Sequence, residues 1–401
     1  MLGIVSVYTQ ADWETDMRLA QAVGIDAFAL NIGKDSYNAA QLENAYNAAA
    51  ATGFKVFISF DFAYWTNGDF GTISSYLQTY ATRAGQYKYN NKAFVSTFVG
   101  GGFDRRAVES SSGVPIFACP NYQPGALRHS TTAATDCGFS WDAWPSQDNQ
   151  PINSNKTTTT DINYINSLGG KPYMMPVSPW FYTHYGGDTY NKNWIFYSDY
   201  LWTQRWEQVL SVQPQFVEVL TWNDFGESHY IGPLHPEKPE VYAPNGQDNG
   251  AKKWVTGMDH TAWQDVMVPY INAFKAGSTT PSVSSDELVY YYRTSPKDAS
   301  CSDPVPKPTG YQYDGDLIFV TALLTSPGTV IITSGSTSTS INVAAGIHTV
   351  SAPMGIGVQS FGLTRNGATV LSGTSPKQVD SSCTGTNPAQ PFNAFVGSIK
   401  A

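Results

Sequence analysis

The sequence predicts an α/β architecture: a (β/α)8 barrel of the TIM type over residues 1–277, a linker at 278–286 and a β-sandwich over 287–401. Three observations carry that expectation. At 401 residues the chain exceeds one ordinary domain and suits a barrel of about 250 residues with a smaller companion. Through the first two thirds, short β-prone apolar runs alternate with segments of helical period, the pattern of a parallel sheet covered by helices. After Gly277-Ser-Thr-Thr-Pro-Ser-Val-Ser-Ser285 the helical period vanishes, and short apolar runs broken by Gly, Pro and Ser take over.

Eight barrel strands are predicted. Ile4–Tyr8 is the first; Thr9-Gln10-Ala11-Asp12 then reads as a capping box opening a helix whose Trp13, Met17, Ala20 and Val23 recur at helical spacing up to Gly24. Ile25–Ile32 is the second, followed by a helix with Leu42, Tyr46 and Ala49 inward and a stop near Gly53. Val56–Phe60 is the third, with a helix near Thr72–Ala84, and Ala93–Val99 the fourth, running into Gly100-Gly101-Gly102. Pro115–Cys119, Phe139–Trp141 and Lys171–Val177 are the fifth, sixth and seventh, the last leading to a helix with Trp202, Trp206 and Val209 on one face. Phe216–Leu220 is the eighth, and its closing helix carries Trp263, Val266, Met267, Tyr270, Ile271 and Phe274 on one side. The Pro- and Gly-rich insertion from Tyr230 to Asp259 is long enough to wall a cleft. Beyond the linker come Leu288–Tyr292, Leu317–Leu324, Val330–Thr333 and Val358–Leu363; strand alternation directs part of the Tyr290-Tyr291-Tyr292 run into the core rather than onto a sugar platform.

Composition excludes some partners. A net charge of −9 argues against a nucleic-acid partner, which would require basic patches to displace phosphate counterions. No apolar run reaches membrane-spanning length. Charged residues are only 14% of the chain and aromatics equal them, with 11 Trp and 24 Tyr, a balance suited to stacking on uncharged ligands such as sugars. Four cysteines lie as two separated couples without metal-site spacing, and pairing within each domain gives Cys119 with Cys137 and Cys301 with Cys383. The shorter loop contributes roughly 3 kcal/mol on a chain-entropy argument. Disulfides and the lone sequon Asn155-Lys156-Thr157 point to an oxidising compartment, so a secreted, extracellular or wall-associated monomer is expected, with a secretory signal once preceding Met1.

The chemistry is expected where barrel strands end. Active sites of such barrels are built from the loops at the carboxyl ends of the strands. Those positions hold Tyr8, Asn31, Asp61, Trp65, Asp104, Asn121, Asp142, Trp180, His184, Trp222, Asn223, Asp224, Glu227, His229 and Tyr230. Each has a bland reading: an Asp after a strand often caps a helix, and a His often only hydrogen-bonds. The densest stretch is Thr221-Trp-Asn-Asp-Phe-Gly-Glu-Ser-His229, in which Asp224 and Glu227 are the candidate catalytic pair and the others candidate substrate contacts. Trp65, Trp180, Trp222 and Tyr8 are expected to present ring faces to sugar. No metal ligand set of tight His or Cys spacing and no Gly-x-Ser-x-Gly elbow is present, so no metal or cofactor is expected and paired carboxylates remain.

Trp13-Glu14-x-Asp16-Met17-x-Leu19-Ala20, Gly24 to Gly33, Gly53 to Asp61 and Thr221 to Ser228 resemble the fungal α-1,3-glucanases, or mutanases, of glycoside hydrolase family 71. The resemblance spans the barrel and, less distinctly, the sandwich. It implies a (β/α)8 barrel with a β-sandwich that hydrolyses α-1,3-glucan of fungal walls or bacterial mutan with inversion, and the Asp224 and Glu227 block matches its catalytic region. On residue chemistry, Glu227 is expected as general acid, raised by Asp224 and by Phe225 and Tyr230, with Asp224 as base and Asp61, Asp104 and Asp142 as rival bases. Gly226 suggests a sharp non-helical turn that separates the two carboxyls by the roughly 6.5–9.5 Å of an inverting pair. Two other classes are discriminated by the same residues: a non-catalytic lectin-like barrel would lack the acids, and a metal-dependent deacetylase would need an Asp-His-His set.

Overall fold

In the computed structural model, which describes residues 1–123, 135–243, 250–383 and 389–400, the apolar runs of the first half join in a parallel ladder. Strand β1 (Ala27–Ile32) pairs with β2 (Lys55–Asp61), β2 with β3 (Lys92–Phe98) and β3 with β4 (Ile116–Pro120). A single parallel bridge from Asn121 to Phe139 carries the ladder to β5 (Gly138–Phe139), which pairs with β6 (Tyr173–Val177). An antiparallel hairpin, β7 (Tyr182–His184) with β8 (Asn193–Ile195), intervenes before β9 (Phe216–Val219), which pairs in parallel with β6. The Cys119–Cys137 disulfide ties β4 to the start of β5, where that lone bridge makes the ladder thinnest.

The predicted first strand is not one. Leu2–Ile4 is a turn of 3-10 helix, and the Val5 and Tyr8 amides donate to the carbonyls of Leu2 and Val5 at 3.1 and 3.0 Å. Local bonds thus take the backbone groups a ladder would have used. The parallel ladder therefore has seven strands among the described residues, β1 to β6 and β9, with no ladder joining β9 to β1. Between these two lies an apolar cavity of about 350 Å³, lined by Ala27, Phe28 and Leu30 from one side and Phe216, Val217 and Val219 from the other.

Helices alternate with the strands: α1 (Gln10–Ala22), α2 (Asn38–Thr52), α3 (Phe70–Tyr80), α4 (Arg105–Ser112), α5 (Thr159–Leu168), α6 (Leu201–Val212) and α7 (Trp263–Lys275). The Thr9 amide donates to Asp12 Oδ2 at 2.7 Å, so the capping box read from the sequence opens α1. Gly53, at φ 75°, ends α2 in the left-handed region where a side chain would be strained. Trp13, Met17 and Ala20 of α1, Trp202, Trp206 and Val209 of α6, and Trp263, Val266 and Met267 of α7 are buried.

After α7 come two four-stranded antiparallel sheets. The strands are β10 (Glu287–Arg293), β11 (Leu317–Leu324), β12 (Gly328–Ser334), β13 (Thr337–Val343), β14 (Gly346–Pro353), β15 (Gln359–Arg365), β16 (Ala368–Thr374) and β17 (Ala394–Lys400), in the orders β14-β11-β10-β17 and β13-β12-β15-β16. Strand alternation sorts the three tyrosines of β10. Tyr290 and Tyr292 enter the cluster between the two sheets, whereas Tyr291 joins the cluster shared with the barrel helices. One sheet thus packs on the barrel through Tyr291, whose hydroxyl donates to the Asp199 carbonyl, and Trp180 Nε1 donates to the Phe392 carbonyl at 3.0 Å. Cys301 and Cys383 form the second disulfide. No described helix is long and apolar enough to cross a membrane.

Candidate active site

The loop after β9 is drawn into a compact knot. The Thr221 amide donates to the His229 carbonyl at 2.8 Å and the Ile231 amide returns to the Thr221 carbonyl at 2.9 Å, which folds the eight-residue excursion back on itself. Thr221 Oγ1 accepts the Asp224 amide at 2.8 Å, and Phe225–Glu227 make a 3-10 turn closed by Ser228 at φ 60°. That turn sets donor atoms of Asp224, Glu227 and His229 within 4.8 Å of one another. The expected wide, non-helical separation of the two acids is therefore corrected: helical backbone brings them to the short spacing. Gly226 is required for another reason. A Cβ there would lie 2.0 Å from the Tyr185 hydroxyl, so the glycine admits that ring against the turn.

His229 Nε2 is 3.1 Å from Glu227 Oε2 and 3.9 Å from Asp224 Oδ2, with Nδ1 against Thr221 Oγ1 at 3.2 Å. Lys192, from the turn between β7 and β8, donates to Glu227 Oε1 at 3.1 Å. The carboxyl side chains remain reachable, at 16% exposure for Asp224 and 19% for Glu227. Their proton affinities diverge. Burial favours the neutral form of each, and for Asp224 the negative charge of Glu227 adds to it, so its pKa is raised. For Glu227 burial is outweighed by the His229 hydrogen bond and the Lys192 charge, which hold its carboxyl down to about 2. The sequence reading had these directions reversed, because neither Lys192 nor the His229 contact was anticipated. Asp61, at the end of β2, is raised by burial against the Ala63 amide, which donates to Oδ1 at 2.9 Å, and it too feels the Lys192 charge.

Other expected contacts serve the scaffold. Trp180 is 1% exposed and stacks on Trp263, and Trp65 is 4% exposed with Nε1 donating to the Ile32 carbonyl, so neither can lay a ring face on sugar. Tyr8 is buried against Asp16 and His235, and Trp222 is half-buried against Phe28. The expected platform is thus corrected for Tyr8, Trp65 and Trp180, whose polar edges hydrogen-bond inside. Asp104 caps α4, accepting the Ala107 amide at 3.1 Å, and Asp142 is paired with buried Lys156 at 2.5 Å. Asn121 accepts the Val99 amide at 3.1 Å, Asn31 is buried on β1, and Asn223 accepts the Met1 amine at 2.6 Å. His184 bridges Asn193 and Asp303, and Tyr230 stacks on His260 at 3.9 Å.

The insertion after Tyr230 covers α1, with Lys238 paired to Asp12 and His235 to Tyr8; residues 244–249 of it lie outside the described residues. Sequence reading missed Lys192, and it placed Tyr185 after the seventh strand without counting it among the candidate site residues. Their only signal was a lone cation and an aromatic in the Gly-rich stretch Tyr185-Gly-Gly-Asp-Thr-Tyr-Asn-Lys192, after a strand rather than at its end.

Among solved structures, an endo-alpha-mannosidase of family GH99 from Bacteroides thetaiotaomicron superposes with a TM-score of 0.50 at 10% identity, over 67% of this chain and 85% of that one, a likeness of fold alone. A mutanase of Penicillium rubens is 46% identical over 100% of this chain and 87% of its own length. A glucan endo-1,3-alpha-glucosidase of Schizosaccharomyces pombe is 40% identical over 99% of this chain and 92% of its own, and an ascus wall endo-1,3-alpha-glucanase of the same yeast is 33% identical over 87% and 83%. The model of glycosyl hydrolase family 71 matches residues 1–401, and with these relatives it establishes that the chain belongs to that family.

Proposed function

We propose that the chain hydrolyses α-1,3-glucosidic bonds of α-1,3-glucan, in fungal walls or bacterial mutan, as a secreted monomer that needs no cofactor. The observation that carries the reading is the opposed tuning of two adjacent acids on the loop after β9, in a chain 46% identical to a mutanase. A lectin-like barrel would have no use for such a split. Asp224, whose hold on its proton is strengthened by burial and by the Glu227 charge, donates to the glycosidic oxygen as general acid. Glu227, kept ionised by His229 and Lys192, stabilises the positive charge that develops on the sugar ring. Inversion, which the family resemblance implies, needs a base farther from the acid than Glu227, since an inverting pair leaves roughly 6.5–9.5 Å for the water. Asp61 fills that role: it stands on a different strand, and its raised pKa makes it a better proton acceptor than Glu227. The donor atoms of Asp224, Glu227 and His229 are close enough to hold a cation, but Lys192 already supplies positive charge at Glu227 Oε1.

The paired C-terminal sheets act as a β-sandwich that braces the barrel rather than as a second site. The test is digestion of insoluble α-1,3-glucan and α-1,4-glucan in parallel, with and without a chelator, while the first-formed anomer is followed by NMR. Release of β-anomer from the α-1,3-polymer only, unaffected by chelation, is expected. Initial α-anomer would sink the assignment of Asp61, and loss of activity with the chelator would favour the metal reading.

A further inference from the structure

Of the four rings expected on the cleft wall, Tyr8, Trp65 and Trp180 are buried and Trp222 is half-buried against Phe28, yet an uncharged polymer still needs apolar surface to lie on. Among the described residues, the large apolar side chains left exposed are Val7, Leu19, Tyr64, Val99, Ile162, Tyr190, Ile356, Val358 and Val370, and two of these are aromatic. Tyr64 is 60% exposed and Tyr190 is 55% exposed. Single exposed apolar residues need no explanation. Two rings beside the same acids do.

Both sit on loops anchored to the site. The Tyr64 amide donates to the Asp61 carbonyl at 2.9 Å, so the ring stands one turn beyond that carboxylate. Gly33, at the end of β1, lies beneath it: a Cβ there would come within 3.2 Å of the Tyr64 ring. Tyr190 rides the tip of the β7–β8 hairpin, where the Thr189 and Asn191 amides both donate to the Gly186 carbonyl at 3.1 and 3.0 Å. Its ring meets Tyr185 edge-on at 5.0 Å, and Tyr185 is the residue whose hydroxyl rests on Gly226 between the two acids. The same tip carries Lys192, the partner of Glu227. Tyr64 is thus tied to the turn that carries Asp61, and Tyr190 to the hairpin whose Lys192 reaches Glu227, so each exposed ring stands on a loop that borders a carboxylate of the site.

We propose that Tyr64 and Tyr190 are the sugar-stacking residues of the groove, each laying its ring against the apolar face of a glucose unit adjoining the bond to be cleaved. The proposal rests on the reading of the chain as an α-1,3-glucan hydrolase. Neither residue touches the reacting atoms; both act by positioning the chain over Asp224 and Asp61. An aromatic ring suits this use because its contact area is large and it has only two side-chain torsions to freeze.

The experiment compares Tyr64→Ala, Tyr190→Ala and the Phe versions of each with the wild type. It measures KM and kcat on soluble α-1,3-gluco-oligosaccharides, retention on insoluble α-1,3-glucan in the Asp224→Asn background, and thermal stability. Each Ala variant is expected to raise KM about tenfold, the value of one stacked ring, with kcat changed less than about threefold and the melting temperature unmoved. The Phe variants, which keep the ring, should stay within about twofold of wild type. Unchanged KM and retention in both Ala variants would overturn the stacking proposal and leave the activity reading intact, since the wild type would still cleave. Equal losses in Phe and Ala would assign the effect to the hydroxyl and also overturn it. A wild type inactive on α-1,3-glucan would overturn both readings.

Discussion

Two couples of neighbouring acids among the described residues have opposite fates. Asp224 and Glu227 lie in one short turn at the end of β9; Asp199 and Asp314 meet at the contact between the barrel and the C-terminal sheets, Asp199 just before α6 and Asp314 before β11. At the second couple burial pushes both upward: Asp199 to about 6, although the Gly315 amide donates to it at 3.0 Å, and Asp314 well above its ordinary range, with Asp199's charge adding to its burial. Of the cations nearby, Arg293 spends a guanidinium nitrogen on Asp316 and the Gly315 carbonyl, and Lys297 donates to the Asp314 carbonyl at 3.1 Å. At the first couple, Lys192 and His229 both bond to Glu227 and leave Asp224 to its burial. Proximity of two acids is therefore not what makes a site. An acid and an anion side by side arise only where the counter-charges choose one member of the couple and the cleft leaves both reachable.

The contrast is broken most directly by removing charge from each couple. Asp224→Asn and Glu227→Gln should each lower kcat on α-1,3-glucan by about 10²–10⁴-fold, whereas Asp199→Asn and Asp314→Asn should keep it within about threefold; comparable losses at both couples in side-by-side assays would erase the distinction. The next largest effect concerns stability. Trp180→Ala should cost about 3–5 kcal/mol in urea unfolding, because it empties a fully buried site and orphans the Phe392 carbonyl. A variant of native stability that has lost only polymer affinity would restore Trp180 to the cleft.

Third in size is a pH effect at the couple between the barrel and the C-terminal sheets. Asp199 has a folded pKa near 6 against an ordinary 3.8, so the folded state holds its proton more tightly. Its contribution is whole below about pH 4 and is lost as pH rises through about 6, to the extent of roughly 2–3 kcal/mol. Denaturant midpoints of the wild type and Asp199→Asn across that window should converge at the acid end; a parallel course would refute the assignment. The smallest effect sharpens the first couple. Lys192→Met removes a cation that holds Glu227 at about 2, so the acidic limb of the kcat/KM profile should move to higher pH. An unmoved limb would mean that His229 alone sets the anion.

By itself the sequence determined what short-range chemistry decides. Thr9 with Asp12 could only open a helix and Gly53 end one; the period-two and helical runs located β1 to β6 and β9 to within a few residues, and the two cysteine couples found each other. The acids after Leu220 stood out because a buried strand end has no packing need for them. Where the reading went astray, the deciding partner was distant. Ile4–Tyr8 has a strand's composition, but a strand needs a ladder, and its amides found carbonyls three residues back. Trp180 is hidden by Phe392, 212 residues away, and Lys192, 35 residues before Glu227, joins His229 in holding that carboxyl down. Burial and charge are sums over neighbours in space, and a pKa difference of a unit or two, worth about 1.4 kcal/mol each, follows from an imidazole folded back and an ammonium arriving from another loop. The identity of the acids was therefore legible in the chain, while which of them keeps its proton, and which rings meet the solvent, were decided only by tertiary structure.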